Sequence, residues 1–289
     1  LAKQTAINAD LAKRGKVRLV LPAEGADESW KKLSGFAASF AMVISDALQQ
    51  NPDIHLSLEI VGTEDGTVVQ VWSTEETFDS VIQGLMSSFP YAQIRAPQEV
   101  VKTPDLLAEL ERETKWTLMG LAQPSHYPLK QPDGFATEPL ALILAALTRT
   151  PGMGKIGVQL VLRSPKAKWN SQGQQDVARQ REALAAAKSS TKDRKRIEEL
   201  ESKADALTGM AATVIVFSEP KSEGRMKRLV SALSTITRSP YNSLRVVAEG
   251  QGPERVSGRH FDHQAGHATI LNADEVAPLL VGDDIHFLV

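Results

Sequence analysis

His260, Asp262, His263 and His267 form the one group in this chain with ligand-type chemistry. Neutral imidazoles and a carboxylate suit zinc or a similar ion, and on such an ion the chain would be a metal-dependent enzyme. Gly258 and Gly266 interrupt the segment, and no helical stripe fixes the spacing of its side chains. The expected reading is therefore a solvated loop, with no metal and no cofactor.

Other chemistries fail on spacing. A phosphate loop needs Gly-x-x-x-x-Gly-Lys-Ser/Thr. The nearest run, residues 149–156, has Arg149 in place of the first Gly and Ile156 in place of the hydroxyl that would reach magnesium. It reads as a helix-to-strand turn. There is no Gly-x-Ser-x-Gly elbow and no His-Glu-x-x-His. Glu198 and Glu199 lie in a charge-dense stretch and read as helix-surface residues. No catalytic residue is assigned, and the expectation is that the chain is not an enzyme.

Two basic clusters remain, Lys188, Lys192, Arg194, Lys195 and Arg196, and then Lys221, Arg225, Lys227 and Arg228. Either could contact DNA phosphates, which makes a DNA-binding module one alternative. A formal net charge of −2 gives no global attraction to nucleic acid, so contact would have to be local. RNA stacking on strand aromatics has only Trp72 to offer in its strand, and no RNP-like run occurs.

The elements that position these groups follow from periodicity. With 42% hydrophobic and 24% charged residues, the 289-residue chain has the balance of a globular protein of about two domains. No cysteine is present, which excludes disulfides and thiolate metal sites. No apolar run approaches a membrane span. The chain begins at Leu1 without a signal-peptide pattern, and so reads as a piece of a longer protein with room for an upstream membrane segment.

Ile54, Leu56, Leu58 and Ile60 alternate with His55, Ser57 and Glu59, the pattern of a half-buried strand. A turn at 63–66, a second strand to Trp72 and a capped helix from Ser73 with Phe78, Val81, Ile82, Leu85 and Met86 inward lead to a short strand at 92–94. Ahead of them stand a strand at 17–21 and a helix running to Asn51. Strand, helix, strand, strand, helix, strand is the ferredoxin-like order. A polar link with a short helical piece at 105–113 follows, and then the order recurs from Trp116 to Ala248.

The second copy carries residues 164–209 where the first has its turn. Val177, Leu184 and Ala187 face Ile197, Leu200, Ala204 and Leu207 at coiled-coil-like spacing, which predicts an antiparallel helical hairpin projecting from the sheet edge. Residues 251–267 read as loop, followed by a strand at 268–271 and a short helix capped by Asn272. The fold class is α+β. It comprises a lead-in at 1–16, one ferredoxin-like unit at 17–100, a second at 101–255 with its hairpin insert, and an extension at 256–289.

Three segments, 56–61, 66–72 and 89–94, resemble the N-terminal, pre-motor region of type IV secretion conjugative DNA-transfer coupling ATPases. Their sequences are Leu56-Ser57-Leu58-Glu59-Ile60-Val61, Gly66-Thr67-Val68-Val69-Gln70-Val71-Trp72 and Phe89-Pro90-Tyr91-Ala92-Gln93-Ile94. Residues 139–147 with 157–163, the charged insert and 270–280 are similar too, so the resemblance runs across 54–280. The family continues His-Leu-Pro where this chain has Val281-Gly282-Asp283-Asp284, and no ATPase residue has a counterpart here.

The resemblance implies an accessory and assembly domain in the cytoplasm, at the cytoplasmic face of the membrane in the parent protein. It would recruit secretion-system or relaxosome proteins or position DNA, and would self-associate through a motor domain. The hairpin would be its docking arm.

Overall fold

The computed structural model describes residues 16–19, 21–22, 30–64, 66–73, 80–81, 83–84, 87–88, 92–93, 105–135, 139–147, 152–165, 169–186, 191–206, 208–261 and 269–279. In chain order the elements begin with β1 (Lys16–Leu19), β2 (Leu21–Pro22), α1 (Trp30–Gln50), β3 (His55–Gly62), β4 (Thr67–Ser73) and β5 (Ala92–Gln93). They continue with β6 (Lys115–Leu121), α2 (Leu140–Leu147), β7 (Ile156–Arg163), α3 (Ser171–Ala186), α4 (Thr191–Ala204) and β8 (Met210–Ser218). The last are α5 (Glu223–Ile236), β9 (Leu244–Gln251), α6 (Glu254–Ser257), β10 (Ile270–Leu271) and α7 (Ala273–Val276).

The protein is a mixed α and β structure built on one antiparallel sheet. The strands run in the order β1, β4, β3, β7, β8, β6, β9, with β10 added to β8 and a separate β2–β5 pair. The β3–β4 hairpin turns where expected. Thr63 N–H donates to Gly66 O at 2.7 Å, and Gly66 sits at φ 148°, a region that L side chains rarely adopt.

One face of the sheet makes the main core. Leu56, Leu58 and Ile60 of β3, Val69 and Val71 of β4, Val158, Leu160 and Leu162 of β7 and Val214 and Val216 of β8 pack beneath the helices. Those helices supply Phe40 and Ile44 from α1, Ile143 and Leu147 from α2, and Leu229 and Leu233 from α5. The 3.6-residue spacing of these side chains gives each helix one apolar stripe to bury.

The opposite face is where the sequence misleads. His55, Ser57 and Glu59 alternate with the core residues of β3, yet every residue of β3 is buried. A second layer covers them. Leu107 and Leu110 from one loop and Val256 from α6 pack on Val61, Leu118, Ile215 and Phe217. Strand periodicity shows which residues share a face and says nothing of what covers it.

Other expectations need correction. Residues 105–113 form turns rather than a helical piece, and 254–257 within the expected loop is a helical turn. The insert is two helices, α3 and α4, joined between β7 and β8. It does not leave from a sheet edge, because both flanking strands lie inside the sheet. The expected helix capped by Asn272 is present as α7, with a reciprocal capping box to Glu275. Ser73 ends β4, and its expected capping partner Glu76, the lead-in at 1–15 and the tail at 280–289 lie outside the described residues.

Candidate functional site

Strand register sets Glu59 of β3 opposite Gln70 of β4 on one side and Gln159 of β7 on the other. All three are fully buried on the rear face. Glu59 accepts from Ser57 Oγ at 2.6 Å, from Gln159 Nε2 at 3.0 Å and from Gln70 Nε2. Such a carboxylate needs a cation, since an uncompensated buried charge is strongly unfavourable.

Arg259 supplies it. Nε donates to Glu59 Oε1 at 2.7 Å and Nη2 to Oε2 at 3.1 Å. The far edge of the guanidinium meets Asp105, Nη2 to Oδ1 at 2.8 Å and Nη1 to Oδ2 at 2.9 Å. Nη1 also donates to Ser257 O at 3.2 Å, so all five N–H donors are used. Burial opposes the charge on Arg259, but Glu59 and Asp105 together raise its pKa above the ordinary arginine value. Burial likewise pushes Asp105 up, and the bonds from Arg259 outweigh it and hold the carboxyl below its usual range.

Aromatic rings complete the site. The Arg259 guanidinium lies 5.0 Å from the centre of Trp72, and His55 stacks on the same ring at 5.1 Å. Arg255 covers Trp116 at 4.4 Å, and Arg163 stands over Phe261 at 5.1 Å. Residues 254–261 thus form a strap clipped across the sheet from β6 to β7. Burial, with Arg163 and Arg259 nearby, lowers His55 to about 4, so its ring is neutral at pH 7.

A second buried pair anchors the hairpin. Lys203 of α4 and Glu275 of α7 are both fully buried, 2.8 Å apart. Glu275 also accepts from Leu129 N at 2.6 Å, which draws the 124–129 loop into the junction. Beside it, His126 Nε2 lies 2.8 Å from Asp176 of α3. Burial lowers His126 against the pull of Asp176. Val177, Ile197, Leu200 and Ala204 close around Tyr127, so the base of the hairpin is packed onto the body of the protein.

The residues singled out by chemistry lie elsewhere. Arg194, Lys195 and Arg196 are exposed on α4, with Lys195 3.9 Å from Glu199 and Arg196 over Tyr241 at 5.8 Å. Lys192 is on α4 by its backbone, and Lys188 is outside the described residues. Lys221, Lys227 and Arg228 are exposed on and just before α5, whereas Arg225 is half-buried and donates to Met153 Sδ at 2.8 Å. His260 is half-buried within the strap, and burial lowers its pKa ahead of the effect of Arg255. Asp262, His263 and His267 lie outside the described residues, among which no group of three or more His, Cys, Asp or Glu could hold a metal. No helix among the described residues is long and apolar enough to cross a membrane.

Glu59, Asp105, Arg259, Lys203 and Glu275 were not legible as a site. The available signal was a lone Glu or Gln in an otherwise apolar strand, as in Ile156–Arg163 with Gln159 at its centre.

No family model and no curated protein matches the chain. Among solved structures it is similar to the glycopeptide hexose oxidase DBV29 complexed with teicoplanin, at a TM-score of 0.35 and 10% identity. The match covers 76% of this chain and 41% of that one. That neighbour is an oxidase, and the expectation that this chain is not an enzyme receives no support from it. The likeness transfers neither activity nor residues at this TM-score.

Proposed function

We propose that the chain is an assembly module of the kind that precedes the motor in conjugative DNA-transfer coupling ATPases, and that the α3–α4 hairpin is its docking arm. The underlying fold in this reading is two ferredoxin-like units in tandem. In support, β5 pairs with β2, which continues β1, and then come β4 and β3. The second half runs β9, β6, β8, β7. Each half places its fourth, first, third and second strands in that order, the arrangement of a split βαβ unit. The halves meet at β3 and β7.

The observation that carries the docking role is the asymmetry of the hairpin. Its base is fixed by Lys203 and Glu275, while Arg179 and Lys195 on its outer surface are 73% and 77% exposed. A rigid base with a charged free face suits a partner recruited by complementary charge. Deleting the whole hairpin would strand Glu275 in the interior, so the test is reversal of surface charge. The variant Arg179→Glu with Lys195→Glu should keep its melting temperature and lose binding to purified secretion-system or relaxosome proteins. Unchanged binding sinks the proposal.

Exposed Lys221, Lys227 and Arg228 support a second reading, contact with DNA phosphates along α5. That reading requires affinity for duplex or single-stranded DNA that falls steeply with salt and weakens in Lys227→Glu. Absence of binding at low salt excludes it.

A further inference from the structure

We propose that the pocket of Glu59, Asp105 and Trp72 is a receptor for an arginine side chain, closed by the chain's own Arg259 and open to an arginine-bearing segment of a partner protein. The inference is independent of the hairpin.

The chemistry is specific to guanidinium. Two carboxylates outside the strap take four of the five N–H donors, Ser257 O of the strap takes the fifth, and an indole lies 5.0 Å from the centre of the charge. An ammonium has three donors and no plane, so lysine leaves acceptors in this pocket unpaired.

The resident arginine is held under strain. Arg259 has φ 48°, a left-handed conformation disfavoured for L residues, and it is the only residue other than glycine with positive φ among those described. An arginine on an extended segment of another protein reaches the same carboxylates without that backbone. The surroundings also hold polar atoms that Arg259 leaves unused. His55 is 2% exposed, stacks on the same Trp72, and its Nε2 has no hydrogen-bond partner. Gln70 Oε1 and Gln159 Oε1, beside Glu59, are likewise buried and unpartnered. A second donor-bearing segment would find acceptors waiting.

Residues 257–261 of the strap can yield while Val256, fully buried beside Ile215 and Phe217 and accepting from Gln159 Nε2 at 2.9 Å, stays on the sheet. α6 is a single turn, and the amides of Gly258, Arg259 and His260 bond only within residues 254–260.

The test uses the full chain in two forms. In Arg259→Ala, methylguanidinium chloride at millimolar concentration should raise the melting temperature saturably, and methylammonium chloride should not. Arg259→Lys, which keeps a charge but not the fork, serves if the alanine variant does not fold. In the wild type, a short arginine-containing peptide should speed hydrogen exchange several-fold at Gly258, Arg259 and His260, saturating with concentration, while its lysine counterpart does not. Equal responses to the two small cations, or strap exchange indifferent to the arginine peptide, overturns the proposal.

Discussion

Arg259 Nε donates to Glu59 Oε1 at 2.7 Å across 200 residues of chain. The contact joins the middle of the sheet to the strap behind it, and through Asp105 it also fixes the loop that carries Leu107 and Leu110. One guanidinium thus holds down most of a layer.

Removing that guanidinium strands the fully buried Glu59 carboxylate and takes the shared cation from half-buried Asp105. Arg259→Met should cost about 3–5 kcal/mol, the range for a broken buried pair. Adding Glu59→Gln should restore part of the loss, because the second change removes the stranded charge. Urea denaturation of the wild type, both single variants and the double variant measures this as a coupling energy. Additive losses would show that the two side chains act separately.

His55 sets an acid limit. Its folded pKa is about 4 against an ordinary value of 6.5, so the folded state disfavours the charged ring. A lowered value means that stability is complete above pH 6.5 and drains as the pH falls towards 4. The loss approaches roughly 3 kcal/mol over that window. Asp105, whose pKa is also depressed, adds a further loss at lower pH as it protonates. In His55→Phe the decline between pH 6.5 and 4 should flatten, as read from denaturation midpoints across that range.

Lys203 decides whether the hairpin stays docked. Lys203→Met strands Glu275, and a loss on the order of 3 kcal/mol is expected from the unpaired charge. Because Glu275 also receives the Leu129 amide, the damage should centre on the junction of α4, α7 and the 124–129 loop. Hydrogen exchange should rise in these segments before the central strands respond.

Gly157 lies where β7 passes β3. A methyl group there would stand 2.5 Å from Ile60 O and 2.7 Å from the Phe217 ring. Gly157→Ala should therefore destabilise by about 1–3 kcal/mol through overpacking. Gly224, with open space around it, is the control, and its alanine variant should melt no lower than the wild type.

Element order was legible because it depends on local periodicity. Apolar residues at alternating positions in 54–60 and 156–162, and at helical spacing in 30–50 and 223–236, specify strands and helices whatever packs on them. The same holds for Asn272, whose side chain caps its own helix within four residues. The insert between β7 and β8 was legible in the same way, from an apolar seam in a charged stretch.

What lay beyond the sequence depended on distant partners. His55, Ser57 and Glu59 read as the open face of a half-buried strand, since alternation is silent about a covering layer. Whether that face meets water was settled by residues 105–110 and 254–261 folding over it. Arg259 looked like one basic residue in a loop, while tertiary structure made it the counter-ion of Glu59. Lys203 likewise belonged, by sequence, to a solvated helix. Burying a charge is tolerable only when its partner is brought to it, and only the tertiary fold decides that meeting.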